Sequence, residues 1–492
     1  MGQSPSSSTY NRSGDGLPFY QGKAEFGDLY PTVNMYCSQP NKIAKQNATL
    51  LSVRAPVGPT NLAQQDCCIG RGLAAIHPYG GITPKFLLYL FRSIEPEISG
   101  KGTGSTFKAI TKSFVEGLRF GLPPLPEQYR IVAKIEELFS ELDKGVENLK
   151  TARAKLDVYR QAVLKHAFEG KLTAQWREEN KDKLETPEQL LARIKQEREA
   201  RYEQQLREWK TAVEEWEDGD KSGKKPTKPK KSLELADVPE DVIAKLPHLP
   251  EGWLWAHLGD ISDVSGGLTK NQKRNSLPRK TQYLRVANVY ADEILTDDIH
   301  EIGVTDSEAE AVSLEAGDLL IVEGNGSIGQ IGRVALWGGE LSHCGHQNHL
   351  IRSRLLKNFI PRFFLQFLLS PLGRDLIIRE ASSTSGLHTL SISKVSNLVV
   401  PVASSAEESA VVAQIEERLS KIDKMLADIT AQLAMLGALR QSILRKAFSG
   451  QLVSQDPDDE PASVLLERIK TEKAARSQNN SRTKRRREKA SA

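Results

Sequence analysis

Apolar residues recur at three- and four-residue intervals along two stretches of the chain. The first runs through Ile131, Ile135, Leu138, Leu142, Val146, Leu149, Leu156, Tyr159 and Val163. The second runs through Val412, Ile415, Leu419, Ile422, Leu426, Ile429, Leu433, Leu436, Leu439 and Ile443. A seam of this period buries a narrow stripe against one partner helix, so the spacing predicts two long helices. Pro126 and the carboxylates behind it suit a helix start, and Gly170 and Gly450 suit the ends, because glycine adopts a positive φ without a Cβ clash. About 40 residues at 1.5 Å each make a rod of roughly 60 Å. Ordinary core packing accounts for any one stripe. Two matched stripes in one chain favour an intramolecular coiled coil, with Ile135, Leu138, Leu142, Leu149 and Leu156 on one helix and Ile415, Leu419, Ile422, Ile429 and Leu436 on the other.

The match between the stripes goes deeper than hydrophobicity. Shifting the sequence by 280 residues lays Glu127–Leu172 on Glu407–Leu452 without a gap. Identities include Ile135/Ile415, Asp143/Asp423, Arg160/Arg440, Leu164/Leu444 and Phe168/Phe448. Downstream, Leu191–Lys195 matches Leu466–Lys470, and upstream Ile82–Phe86 echoes Phe359–Phe363. So long a period excludes a short solenoid repeat and predicts a duplicated unit of globular domain plus helix.

The segments ahead of the helices alternate short β-rich runs with turns: Thr49–Arg54, Gln282–Val289, Asp318–Glu323 and Gln330–Leu336. Each then enters a helix near a proline, Pro84–Phe91 and Pro361–Ser370. The expected fold class is mixed α/β (α+β). The expected division is a first domain over 1–126, a helix over 127–172, a charged helix and Lys/Pro linker over 173–250, a second domain over 251–401, a second helix over 402–452, and a helix with a basic tail over 453–492. Thr186 and Pro187 start the charged helix, which carries Trp209 and Trp216; Lys221–Lys231, with six lysines and no acid, reads as a flexible or extended linker. The tail Ser481–Ala492 is basic, which suits either a solvated end or phosphate contact.

Composition narrows the classes. Lys plus Arg number 67 and Asp plus Glu 63, a net charge of +4 that argues for no particular partner. No run approaches the roughly 18 apolar residues of a membrane span. Four cysteines without a CxxC pair argue against a disulfide scaffold or structural zinc and suit a cytoplasmic protein.

Several stretches resemble catalytic motifs without completing them. Gly324–Gly329 spells GxGxxG, but a dinucleotide site needs a helix to open there and Gln330–Leu336 reads as a strand. Gly100–Thr106 lacks the GK[ST] ending of a P-loop, and His343, Cys344, His346 and His349 match no standard zinc spacing. With no nucleophile elbow either, the expectation is a chain that is not itself an enzyme, without metal or cofactor.

Leu122-Pro123-Pro124-Leu125-Pro126-Glu127-Gln128, with the Ile-rich helix behind it and Arg160–Thr173, closely resembles the first conserved region of specificity subunits of type I restriction–modification enzymes. Leu249-Pro250-Glu251-Gly252-Trp253 resembles the opening of a target-recognition domain, and Gln441–Leu452 resembles the second conserved region. The resemblance implies two target-recognition domains joined by two long helices forming an antiparallel coiled coil with pseudo-two-fold symmetry. Each domain would read one half of a bipartite site on double-stranded DNA, and the helices would set the half-site spacing. Two methyltransferase subunits, and restriction subunits, would be the partners, with S-adenosylmethionine, ATP and Mg used by those chains. A coiled-coil tether that binds proteins rather than DNA is the alternative.

Within that resemblance, Ser52–Gly58 lies where Val322–Ser327 lies in the second domain, so Arg54, Asn325 and Ser327 are candidates to meet bases. A Gly/Ser/Thr-rich turn in each domain supplies Lys101, Thr103, Ser105, Thr106 and Lys108, and Ser383, Thr384, Ser385 and His388, for phosphates. Gln21 with Lys23, and Arg285 with Asn288, occupy equivalent strand ends. Two departures stand out. Glu323 replaces a cation the family often has, and would repel phosphate unless it accepts from a cytosine amino group. The first domain has no counterpart of Leu249–Val264, about 15–20 residues, which suggests a late start or truncation and predicts a missing edge strand.

Overall fold

The computed structural model describes residues 1–101, 109–219, 225–229, 235, 237–324, 328–381 and 389–475. The chain divides into two compact units. Unit 1 comprises Met1–Ala152 and Asp428–Ala492, and unit 2 comprises Arg153–Ala427. The division cuts both long helices, Leu125–Phe168 and Ser405–Phe448, each of 44 residues, so it groups the chain differently from the linear boundaries expected above.

In unit 1 the two helices pair side by side. Ile131, Ile135 and Phe139 pack with Ile443, Leu444 and Ala447 in one buried cluster. Asp143 pairs with Arg440, and Gly145 lies beside Leu436, so one helix runs up as the other runs down. In unit 2, Leu164, Ala167 and Phe168 share a core with Val411 and Ile415, and Arg160 pairs with Asp423. The repeated identities Asp143/Asp423 and Arg160/Arg440 are therefore the same ion pair made twice. Each pair is largely solvated and contributes at most about 1 kcal/mol. Its value lies in register.

Among the ten seam residues, Ile135, Ile415, Ile422 and Ile429 are buried; Leu138, Leu142, Leu149, Leu156, Leu419 and Leu436 are half-buried. Tyr159 and Leu439 are the correction. They occupy the same repeat position and are 48% and 45% exposed, because Arg160 and Arg440 turn inward beside them to reach their carboxylates. Both helices end as the sequence indicates, at Gly170 (φ 67°) and Gly450 (φ 75°).

The globular parts follow one plan. In unit 1, Leu17–Tyr20 runs parallel to Cys67–Ile69, and Thr60–Leu62, Thr49–Ser52 and Leu73–Ile76 form a three-stranded sheet in that order. In unit 2, Arg279–Leu284 runs parallel to Gly345–His346. The matching sheet has four strands, Ser262–Gly266, Leu350–Leu355, Leu319–Val322 and Val334–Leu336. Leu254–His257 adds an antiparallel pair with Val399–Val402. Among the described residues of unit 1, neither Ser262–Gly266 nor Leu254–His257 has a counterpart. Pro84–Ser93 and Pro361–Leu369 are the helices that cover each sheet, anchored by Phe86 and by Phe363, Phe364 and Phe367.

Three local expectations shift. The run read over Gln282–Val289 is a strand only to Leu284, after which Val286–Asn288 turns as a 3-10 helix. The run read over Gln330–Leu336 is a strand only from Val334. Gly332 breaks it at φ 60°, where a Cβ would collide with Ile377. Lys225–Pro229 is held against the charged helix Pro187–Asp218: Trp209 Nε1 donates to the Pro226 carbonyl at 3.1 Å, Lys228 lies over Trp209 and Lys225 over Trp216. The basic tail lies outside the described residues.

Candidate functional site

In unit 1 the chain leaves Leu17–Tyr20 at Gln21, and the backbone there lies so close to Gly72 that a Cβ on Gly72 would sit 2.2 Å from the Gln21 carbonyl oxygen. The Gly72 carbonyl accepts the Val53 N–H at 2.9 Å, and the Val53 carbonyl accepts the Ile110 N–H at 3.1 Å. Arg54 and Ala109 then form an isolated β-bridge. Ser99 Oγ donates to the Val57 carbonyl at 2.6 Å, tying the helix that ends at Lys101 to the same loop. Backbone bonds thus draw the strand end, the loop after Ser52 and the flanks of the Gly/Ser/Thr-rich turn into one junction.

Unit 2 builds that junction again. The Glu323 N–H donates to the His349 carbonyl at 3.0 Å, and the Leu390 N–H donates to the Glu323 carbonyl at 2.7 Å. Gly324 and Thr389 form the isolated bridge, and the Gln347 N–H donates to the Leu284 carbonyl at 2.9 Å beside Arg285. Arg54 and Gly324 are therefore equivalent, as are Gly72 and His349. Of the residues expected here, Thr103, Ser105, Thr106, Lys108, Asn325, Ser327, Ser383, Thr384, Ser385 and His388 lie outside the described residues. The described neighbours Lys101, Ala109, Gly324 and Thr389 lie at the junctions.

The two junctions differ in charge. In unit 1, Gln21, Lys23, Arg54 and Lys101 are exposed, and none of the three cations has an ion-pair partner among the described residues. In unit 2 the cations are tethered. Arg285 pairs with Asp298 at 2.6 Å, and Arg333 donates to the Val286 carbonyl and lies 5.0 Å from the centre of Tyr290. Asn288 is 3% exposed and its amide is fully engaged: Oδ1 accepts the Arg285 N–H at 2.9 Å, and Nδ2 donates to the carbonyls of Leu295 and Asp298. The geometry gives Asn288 the task of shaping the turn that presents Arg285, not a free face of its own.

Glu323 is answered locally. His349 Nδ1 lies 2.6 Å from Glu323 Oε2 and can donate to it, so a hydrogen-bond donor faces the carboxylate. The sequence shows His349 only as a member of the His/Cys cluster and does not mark Arg333, because only pairing across the sheet brings them to the junction. Of the other members of the His/Cys cluster, Cys344 and His346 turn inward and His343 is exposed. Burial pushes the Cys344 thiol up to about 11 and holds His346 down at about 4, its Nδ1 2.9 Å from the Leu350 carbonyl. Among the described residues no group of three His, Cys, Asp or Glu side chains could hold a metal ion. After Gly324 the described chain resumes in a 3-10 turn, Ile328–Gln330, and then the strand from Val334, without an α-helix N-terminus for a pyrophosphate. No helix among the described residues is long and apolar enough to cross a membrane.

Residues 1–151 match the type I restriction modification DNA specificity domain. The chain is 44% identical over 160 residues to the putative type I restriction enzyme MjaX specificity subunit of Methanocaldococcus jannaschii, covering 32% of this chain and 38% of that one. It is 25% identical over 425 residues to the type I restriction enzyme EcoKI specificity subunit of Escherichia coli K12, covering 83% of this chain and 76% of that one. A chain solved in work on complex assembly and conformational transition of the type I R-M system superposes with a TM-score of 0.58 at 17% identity, over 90% of this chain and 92% of that one. That last likeness is one of fold.

Proposed function

Because the chain belongs with the specificity subunits of type I restriction–modification enzymes, we propose that its two junctions each read one half of a two-part DNA site. The observation that carries the reading is that one backbone scaffold is built twice with different side chains on it: Arg54 where the second copy has Gly324, and Gly72 where it has His349. Two copies of one scaffold suit the two sugar–phosphate strands, and unlike side chains suit unlike half-sites.

The paired helices set the distance between half-sites and dock two methyltransferase subunits. Exposed Tyr159 and Leu439 support this role: they hold the same repeat position, so each copy offers an apolar residue to an identical partner. Restriction subunits join that assembly in the cytoplasm. The methyl donor S-adenosylmethionine, with ATP and Mg, serves the partner chains, and this chain contributes recognition without catalysis. The chain after Gly324, which resumes in a 3-10 turn and a strand, favours that division of labour over a nucleotide site here.

The test is co-expression with a methyltransferase subunit followed by mapping of methylated adenines. A two-part motif is the expected result; a complex that methylates without sequence preference would leave only the tether. Arg54→Ala refines it. The exposed, unpaired guanidinium is expected to contribute about 1–3 kcal/mol at one position of one half-site. Uniform weakening across sequences, with a salt dependence shallower by about one counterion, would instead mark Arg54 as a phosphate contact.

A further inference from the structure

The equivalence of the junctions extends to one turn in each unit. In unit 1, Gly70-Arg71-Gly72-Leu73 links the strand Cys67–Ile69 to the strand Leu73–Ile76. The Gly70 N–H donates to the Tyr20 carbonyl at 2.8 Å, and the Leu73 N–H closes the turn on the Gly70 carbonyl at 3.1 Å. In unit 2, Gln347-Asn348-His349-Leu350 links Gly345–His346 to Leu350–Leu355. The Gln347 N–H donates to the Leu284 carbonyl at 2.9 Å, and the Leu350 N–H closes the turn on the Gln347 carbonyl at 2.9 Å. The bonds from Val53 to Gly72 and from Glu323 to His349 match as well. Shared backbone bonds fix the register, so Arg71 and Asn348 hold one position, the first of the two central residues of each turn.

The side chains at that position are uncommitted. An asparagine in a tight turn ordinarily bonds the backbone beside it. The Asn348 carboxamide does not: unlike Asn288, it has no hydrogen-bond partner among the described residues. It lines a cleft of about 540 Å³ together with Glu323, Ser391 and Ser393. No cation lines that cleft among the described residues, and its one charged group is a carboxylate. Such a lining disfavours phosphate and suits the edge of a base. In unit 1, Arg71 is exposed and its guanidinium has no ion-pair partner among the described residues. Each turn is closed by its backbone alone, so neither side chain is needed to shape it. A rigid backbone that presents a free polar group is what selective recognition requires.

A carboxamide presents an acceptor and a donor side by side, matching N6 and N7 of adenine, and a guanidinium presents two donors, matching O6 and N7 of guanine. We propose that this turn position determines specificity in both units: Asn348 selects an adenine in one half-site and Arg71 selects a guanine in the other. The assignment rests on the reading of the two junctions as half-site readers and names a base for each. It also accounts for the unlike residues at one scaffold position, because an exchange of asparagine for arginine there changes the base chosen and leaves the turn intact.

The experiment uses the full chain in complex with a methyltransferase subunit and selects its binding sites from randomised double-stranded DNA. The wild type is expected to select a two-part motif. Asn348→Ala is expected to erase a preference for adenine at one position of one half-site, weakening the wild-type site about tenfold or more and leaving the other half-site untouched. Because Asn348 is neutral, the salt dependence of binding stays as it was. Asn348→Arg is expected to replace that adenine by guanine. Arg71→Ala is expected to erase a guanine in the other half-site. An unchanged far-UV spectrum verifies that each variant is folded. A wild-type complex that selects no motif would overturn the half-site reading and this assignment with it. A wild-type motif that survives both alanine variants at every position would overturn the assignment alone. So would a shift in only one half-site, which would break the shared role, or a uniform loss across sequences with a shallower salt slope in Arg71→Ala, which would mark a phosphate contact.

Discussion

Glu407→Ala is expected to destabilise unit 2 by about 3–5 kcal/mol, because it leaves a guanidinium packed inside the fold without its carboxylate. Glu407 is buried at the start of the second long helix. Its Oε1 accepts from Arg177 and from Thr173 Oγ1, the latter at 2.9 Å, while Arg177 also donates to Thr173 Oγ1 and to the Gly170 carbonyl. The pair pins the segment after the first long helix to the start of the second. Removing one partner strands the other, so the loss exceeds the net contribution of the pair. The unfolding midpoint of unit 2 is expected to fall by about 6–12 °C. Adding Arg177→Met to Glu407→Ala is expected to recover most of that loss, since a double replacement leaves no lone charge. A double variant as unstable as the single one would show that the guanidinium is not what destabilises it.

The neighbouring residue is expected to respond in the opposite sense. Glu408 is fully buried, and burial pushes its carboxyl up to about 8. Oε2 accepts the Ile360 N–H at 2.9 Å, while Oε1 has no hydrogen-bond partner among the described residues. A carboxyl raised from 4.5 to about 8 on folding binds a proton that the unfolded chain has released. Stability therefore falls as pH rises from about 4.5 to about 8 and levels off above that. Glu408→Gln removes the cost and is expected to stabilise unit 2 by about 3 kcal/mol at pH 7. Unit 1 already carries this solution: at the equivalent position Gln128 accepts the Thr83 N–H through Oε1 and donates to the Pro123 carbonyl through Nε2. Urea unfolding at pH 5, 7 and 9 checks both statements. The variant should lose the part of the pH slope that lies between 4.5 and 8, and parallel slopes in the two proteins would refute the assignment.

Glu407 and Glu408 also show how far the sequence could be read. Duplication placed them beside Glu127 and Gln128, and periodicity placed all four at a helix start. Neither said which carboxylate is paired and which is protonated, because the answers lie in Arg177, some 230 residues earlier, and in the Ile360 backbone. The site behaves alike. Arg54 and the glycine-rich turns were visible as local composition. The partners of Asn288 were not visible, since the carbonyls that occupy its amide come from Leu295 and Asp298 beyond the next hairpin. The tie between Glu323 and His349 depends on a strand pairing that no local spacing encodes.

Helix period, glycine stops and internal repetition are properties of neighbouring residues, so the chain by itself determined the two 44-residue helices and the duplicated plan of its two halves. Tertiary structure alone decided which side chains face which. Asp143 meeting Arg440 and Gly72 meeting the Gln21 backbone arise from contacts between distant segments. Their energies depend on burial and partner, and those exist only once the chain has closed on itself.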